Sequence, residues 1–148
     1  MKDKTDNMSM LDVSDIAREL FKKYNLKDWS FQLDHAKSRA GLCIYNKKII
    51  SLSRYYVGVS SLKEIKNTIL HEIAHALVGH IHGHDHVWKA KALEIGCDGI
   101  RCHNKVFLAP KWILRCPNGC FKIPRHRKKK HLICKSCEVS VEYLLNNV

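Results

Sequence analysis

The sequence predicts an α+β fold in two parts. Residues 10–105 should form helices with a small antiparallel sheet, and residues 106–148 a basic, cysteine-rich ribbon. Three observations lead to this prediction: apolar residues recur with helical spacing in separate segments, apolar and polar residues alternate between those segments, and four cysteines are paired towards the end of the chain. At 148 residues the chain can bury one hydrophobic core and carry a small appended module.

The first part begins with a helix and continues with strands. Apolar side chains recur every three or four positions over residues 13–24, which predicts a helix. Trp29, Phe31 and Leu33 then alternate with polar residues, as in a half-buried strand. Two more apolar runs, 42–45 and 48–53, are close enough to pair as a hairpin. We expect these strands to form the small antiparallel sheet.

The central helix has clear boundaries in the sequence. Ser61 and Glu64 have the spacing of a capping box, which predicts a helix that starts at residue 62. Gly79 is suited to the position that ends it. Asp85 can cap a following helix, and Gly96 can end that one.

The central helix carries the pattern His-Glu-x-x-His. His71 and His75 lie one helical turn apart on the same face, and Glu72 lies beside them. Two imidazoles at this spacing can occupy two corners of a tetrahedral zinc site, and the neighbouring carboxylate can then take a proton from water. The pattern also occurs by chance on amphipathic helices. Here it lies on a well-defined helix and is followed by further candidate ligands, so we predict a catalytic zinc site.

The residues leave the third zinc ligand open among four candidates. His82, His84 and His86 follow the central helix within a few residues. Glu94 follows His75 with 18 residues between them, a spacing also used by zinc proteases whose third ligand is a glutamate.

The paired cysteines predict a second metal site. Cys116 and Cys120 form one short knuckle, Cys134 and Cys137 form another, and 13 residues separate the two. Four thiolates from two knuckles are the usual ligands of a closed structural zinc site. A module this small has few apolar residues for a core, so we expect it to fold only with its metal.

The charge of the chain is uneven. The net charge is +12, of which residues 1–100 contribute +3 and residues 101–148 contribute +9. Arg125, Arg127, Lys128, Lys129 and Lys130 lie within six residues between the two knuckles. A basic end of this kind predicts a polyanionic partner, and nucleic acid before a membrane. The alternative is a tract that serves only solubility.

The sequence also indicates an intracellular protein, in the cytoplasm or the nucleus. It has no apolar run that resembles a signal peptide and no stretch long enough to span a bilayer. Thiols inside cells stay reduced, and an odd number of cysteines (seven) favours metal binding over a disulfide framework.

Cys97, Cys102 and His103 are spaced more loosely than the cysteines of the two knuckles, and we interpret them as part of a structural turn.

Three features together resemble a known family. The segment LHEIAHALVGH at 70–80, the segment GHDHVWKAKALEIGC at 83–97 and the basic cysteine-paired ribbon resemble the SprT-like family, which includes the Spartan metalloproteases. Its members have a short zincin domain with the third histidine four residues before a Trp or Phe. The resemblance therefore assigns the third-ligand role to His84, counted back from Trp88, and the general-base role to Glu72. The first knuckle departs from the family because it has three residues between its cysteines, where two are commoner.

The resemblance implies a zinc-dependent endopeptidase that acts near DNA, on DNA-associated proteins that include DNA-crosslinked ones. The expected partners are DNA and a protein substrate, with no membrane. Tyr55, Tyr56 and His80 are candidates for stabilising the oxyanion that forms when the peptide carbonyl is attacked.

One alternative function is that of a non-enzymatic DNA-binding protein with two structural zinc ions, but such a protein would have no use for Glu72. Another is a peptidase of small peptides.

Overall fold

The computed structural model describes residues 10–101 and 105–147, so Cys102 and His103 lie outside the described residues. The chain divides into two compact units, Met1–Phe107 and Leu108–Val148. The sequence-based boundary after residue 105 lies two residues before this division. The α+β class is confirmed, and each unit contains a three-stranded sheet.

The first unit contains four helices and three strands among its described residues. In chain order they are α1 (Met10–Lys23), β1 (Ser30–Asp34), β2 (Gly41–Ile44), β3 (Ile49–Ser53), α2 (Arg54–Val59), α3 (Leu62–Val78) and α4 (His86–Glu94). The sequence pattern had not predicted α2. Its six residues are too few to show a helical period, and it is rich in aromatic and β-branched residues that favour strands.

The sheet of the first unit is mixed, so the prediction of an antiparallel sheet is wrong for one strand. The strand order is β1-β3-β2. β2 and β3 pair antiparallel, as the hairpin prediction requires, with Leu42 opposite Ser51. β1 lies on the other side of β3 and pairs with it in parallel, with Phe31 opposite Ile50. β1 does not pair with β2, the next strand in sequence, and alternation within each strand cannot reveal this order.

The core lies between the sheet and the helices. Four of the five residues of β3 are buried, as expected of the central strand. Ile65, Ile69 and Ile73 of α3 are fully buried in a cluster that also contains residues of β3 and α1. The fully buried members of the cluster are Val13, Ala17, Ile50, Leu52, Ile65, Ile69, Ile73, Ala74, Trp88 and Ala92.

The capping box of α3 is confirmed. Ser61 Oγ accepts from the backbone N–H of Glu64 at 3.2 Å, and Glu64 Oε1 accepts from the backbone N–H of Ser61 at 3.1 Å. Gly79 ends the helix with φ of 91°, a conformation that glycine adopts without strain. This well-bounded helix carries His71, Glu72 and His75 at its centre and C-terminal half. None of the described helices is long and apolar enough to cross a membrane.

The second unit is a small antiparallel sheet. Its strands are β4 (Trp112–Arg115), β5 (Lys122–Arg125) and β6 (Glu142–Leu145), in the order β5-β4-β6. β4 is central and leads directly into Cys116, and an isolated bridge joins Ile133 to Ser140 beside the second cysteine pair. The strands thus bring the two knuckles, distant in sequence, to one place.

Candidate metal centres

Three histidines converge in the first unit. The Nε2 atom of His84 lies 3.0 Å from Nε2 of His71 and 3.0 Å from Nε2 of His75. His71 and His75 come from successive turns of α3, whereas His84 comes from the loop before α4. A tetrahedral zinc site with Zn–N distances of about 2.0–2.1 Å requires nitrogens roughly 3.4 Å apart, so the observed spacing is close to that of a zinc site. These three residues could hold a metal ion.

The protonation of the histidines also suits a metal. Burial, with a smaller effect from His84, lowers the pKa of His75 to about 4. Burial and the positive charge of Arg101 lower the pKa of His84. Both shifts favour the neutral imidazole, which is the state in which imidazole binds a metal.

The Trp88 side chain packs against the rings of all three histidines. Its side chain is 1 % exposed, and its ring centroid lies 4.6 Å from that of His71, 5.3 Å from that of His75 and 4.7 Å from that of His84. The indole Nε1–H donates to the backbone carbonyl of His71 at 3.3 Å. In the sequence, Trp88 served only as the position from which the third histidine is counted. Its contact with all three candidate ligands is a property of the tertiary structure.

The other three candidates for the third ligand are placed elsewhere. His82 Nδ1 lies 3.0 Å from Asp85 Oδ2, within the loop that caps α4. His86 is the exposed first residue of α4. Glu94 forms an ion pair with Lys91 at 2.7 Å. Among the described residues, His84 is the one that joins His71 and His75.

Glu72 lies in the same cleft as the three histidines. The cleft has a volume of about 510 Å³ and is lined mainly by α3, by β2 and by the loop before β2. The Glu72 side chain is buried, and burial raises its pKa to about 8, although the positive charge of Arg39 opposes this shift. The carboxyl group is thus held in an environment that favours its protonated form, in the cleft that the three histidines also line.

Several cleft residues were missed by sequence reasoning. Arg39 lines the cleft and also donates to Asp34 Oδ2 at 3.2 Å. β2 lines the cleft with Gly41, Leu42 and Cys43, and Tyr45 lines it just beyond the strand. Alternation along a strand puts Gly41 and Cys43 on one face, but only the position of the helix shows that this strand meets Glu72.

The three proposed oxyanion donors are placed differently from one another. Tyr56 lines the cleft, but its hydroxyl is 2.8 Å from Thr68 Oγ1. The Tyr55 ring packs against His35, with 6.3 Å between centroids. The His80 ring packs against Tyr45, with 6.0 Å between centroids.

The four paired cysteines of the second unit also converge. Their Sγ atoms all lie within 4.8 Å of one another, and the four residues are Cys116, Cys120, Cys134 and Cys137. Cys116 Sγ and Cys137 Sγ are 3.4 Å apart, far beyond the length of a disulfide bond, and roughly the separation that Zn–S bonds of about 2.3 Å require. A backbone hydrogen bond from Val139 is the largest cause that lowers the pKa of Cys137 to about 6. This set of thiols could hold a second metal ion.

The basic tract is exposed on the second unit. Arg125 ends β5, and Arg127, Lys128, Lys129 and Lys130 follow it, all of them exposed. Lys128 Nζ lies 3.9 Å from the ring centroid of Trp112 and 6.0 Å from that of Tyr143. Aromatic side chains that are distant in sequence therefore lie beside the tract.

Comparison with known proteins identifies the family. No curated protein and no solved structure matches the chain. The sequence model of the SprT-like family matches residues 12–107, which include α3, the three convergent histidines and α4. This family is metalloprotease-related. The match covers more than half of the chain and confirms the resemblance of the first part to the SprT-like family, while the cysteine-paired ribbon lies outside the matched residues. The chain belongs to the SprT-like family.

Proposed function

We propose that the chain is a zinc-dependent endopeptidase with a zincin-type catalytic domain. The observation that carries this proposal is a buried carboxyl group, Glu72, in the cleft where His71, His75 and His84 converge. A purely structural metal site does not need such a group. The four cysteines would hold a second, structural zinc, so we propose two zinc ions per chain.

A zinc ion held by His71, His75 and His84 would act as a Lewis acid and would lower the pKa of water to about 7. The chain's own contribution is proton transfer by Glu72. Its carboxylate accepts a proton from the water that attacks the peptide carbonyl, and then passes it to the nitrogen of the leaving amine.

The cleft supports cleavage within a polypeptide. β2 is an edge strand of its sheet, and its residues Gly41 to Cys43 line the cleft. An edge strand offers backbone N–H and C=O groups to which an extended peptide can pair as an additional strand. We propose that substrate binds in this way, with its scissile bond next to Glu72.

We further propose that the substrates are DNA-associated proteins, as the resemblance to Spartan implies, and that DNA stimulates cleavage. Support comes from the exposed cations of the basic tract and from Trp112 and Tyr143 beside Lys128. Cations on phosphates provide affinity without sequence preference, and aromatic rings can stack on bases of single strands. A non-enzymatic DNA-binding protein would share these features of the second unit, but it leaves Glu72 unexplained.

The direct test is to map cleavage sites in an unfolded protein substrate. The zinc-loaded chain is incubated with the substrate, with and without DNA, and the fragments are identified by mass spectrometry. Internal cleavage that disappears with a chelator and in Glu72→Gln supports the proposal. DNA binding without any cleavage under all conditions would favour the non-enzymatic alternative, and cleavage of short peptides alone would favour a small-peptide peptidase.

A further inference from the structure

Gly41 lies where β2 passes closest to the catalytic carboxylate. A Cβ atom at this position would be 3.1 Å from Glu72 Oε1, 3.2 Å from Glu72 Cγ and 3.1 Å from Thr68 Cγ2. Contacts this short force a neighbouring group to move. We infer that Gly41 is a positioning residue, which sets the location of the Glu72 carboxylate through the space it leaves open. This inference rests on the proposed function of Glu72 as general base.

The backbone at Gly41 does not itself require glycine. Gly41 pairs with Leu52 in the antiparallel ladder, and its φ is not among the positive values found at five other glycines. A glycine within a strand weakens the strand and often marks a close approach of another group. Here the approaching group is α3, through Thr68 and Glu72, which lie one turn apart on that helix.

Of the two neighbours, Thr68 is held more firmly. Its hydroxyl donates to the backbone carbonyl of Glu64 at 3.0 Å and lies 2.8 Å from the Tyr56 hydroxyl. The Glu72 carboxyl group is the far end of a longer side chain. An added methyl group at position 41 therefore displaces the carboxylate before it displaces the helix.

The experiment compares two glycine-to-alanine variants of the full zinc-loaded chain. In Gly41→Ala we expect kcat for peptide hydrolysis to fall by roughly 3- to 10-fold, because the neighbours must move by a few tenths of an ångström, and a misplacement of about 1 Å can cost roughly 100-fold. KM should change less than kcat, because the backbone N–H and C=O groups of β2 that we propose bind the substrate are retained. Zinc content should stay unchanged, because the three histidines are not altered. Gly58→Ala is the matched control. Gly58 lies in α2, and a Cβ there meets nothing within 4 Å, so its kcat should equal that of the parent.

A second variant tests whether crowding is the cause. Thr68→Ser removes the Cγ2 atom but keeps the hydroxyl and its two hydrogen bonds. In Gly41→Ala/Thr68→Ser the new methyl group can move away from Glu72, and part of the lost kcat should return. If Gly41→Ala does not fold, this double variant replaces it. A folded, zinc-loaded double variant with the kcat of Thr68→Ser alone would then overturn the inference.

A stability measurement keeps this inference separate from the proposed function. Urea unfolding of the full chain gives the cost of Gly41→Ala in the parent and in Glu72→Ala. The cost should be smaller in Glu72→Ala, because the contacts with Glu72 Oε1 and Cγ are gone. If the parent hydrolyses no peptide, the proposed function fails. The comparison of the two unfolding costs then decides by itself whether Gly41 sets the position of the Glu72 side chain. An equal cost in both backgrounds, or parental kcat in folded Gly41→Ala, overturns the inference.

Discussion

The Trp88 ring stacks on the His75 ring, with an interplanar angle of 25° and 5.3 Å between centroids. This contact joins α4 to α3 at the point where the histidines converge. One side chain thus contributes to the core and to the orientation of the candidate ligands. Groups that orient ligands without binding the metal commonly affect metal affinity by about 10–100-fold.

The first prediction concerns the packing of Trp88 against the candidate zinc ligands. Trp88→Ala should destabilise the chain by about 3–5 kcal/mol, as expected for a large buried aromatic side chain. It should also weaken zinc binding by roughly 10–100-fold. Trp88→Phe keeps a stacked ring but loses the hydrogen bond to the His71 carbonyl, so its effect should be smaller. Thermal unfolding and zinc titration measure the two quantities. Wild-type zinc affinity in a folded Trp88→Ala would contradict the proposed role.

The second prediction concerns the general base. Glu72→Gln should reduce hydrolysis by on the order of 10²–10⁴-fold, because the amide cannot accept the proton from water. The three histidines are unchanged, so zinc content should remain at the parental value. Rates are measured with a fluorogenic peptide, and zinc by elemental analysis. Near-parental hydrolysis by the purified Gln variant would refute the mechanism.

The third prediction concerns the third metal ligand. His84→Ala should lose the catalytic zinc and retain the structural one, so that zinc content falls from two ions per chain to one. His86→Ala and Glu94→Ala serve as matched controls, because both residues lie on α4 away from the convergent rings. Both controls should keep two ions. If His84→Ala keeps two zinc ions and one of the controls loses an ion, the residue changed in that control would be the third ligand instead of His84.

The fourth prediction concerns the second unit. Cys134→Ser should remove the structural zinc and unfold the small sheet, which has little apolar core of its own. Leu114 is the main buried aliphatic residue among its three strands. Zinc analysis should find one ion, and NMR spectra of the full chain should show loss of dispersed signals from the second unit alone. A fully folded second unit without zinc would show that the metal is dispensable there.

The fifth prediction concerns the basic tract. Replacing Arg125, Arg127, Lys128, Lys129 and Lys130 with Gln should weaken DNA binding and reduce the dependence of affinity on salt, because fewer counterions are released. DNA-stimulated cleavage should fall in parallel, since DNA increases the local concentration of enzyme and substrate. Fluorescence anisotropy over a salt series measures the affinity.

A control for this variant removes the same charge from the first unit. The five exposed lysines for this purpose are Lys22, Lys23, Lys27, Lys47 and Lys63. If DNA binding depends on the basic tract, this control should bind DNA nearly as well as the parent. Equal losses in both variants would indicate that net charge alone attracts DNA, and parental affinity in the tract variant would refute the prediction.

Local spacing alone determined much of the candidate site. His71 and His75 had to share a helical face once the segment was helical, and the Ser61–Glu64 capping box and Gly79 mark that helix in the sequence. The cysteine pairs likewise indicated two knuckles. These features depend on contacts between residues a few positions apart, so no tertiary information was needed.

The tertiary structure decided what depends on contacts between distant segments. Local spacing does not distinguish His82, His84 and His86, and the sequence assigned the third-ligand role to His84 only through the family resemblance. In the structure, the capping of α4 by Asp85 and the packing of Trp88 bring His84 to the other rings. The parallel pairing of β1 with β3 was equally hidden, because alternation within a strand reports which face is buried and not which neighbour lies beside it. The close approach of Gly41 to Glu72 arises in the same way. It requires β2 to lie against α3, and that depends on how the whole core packs.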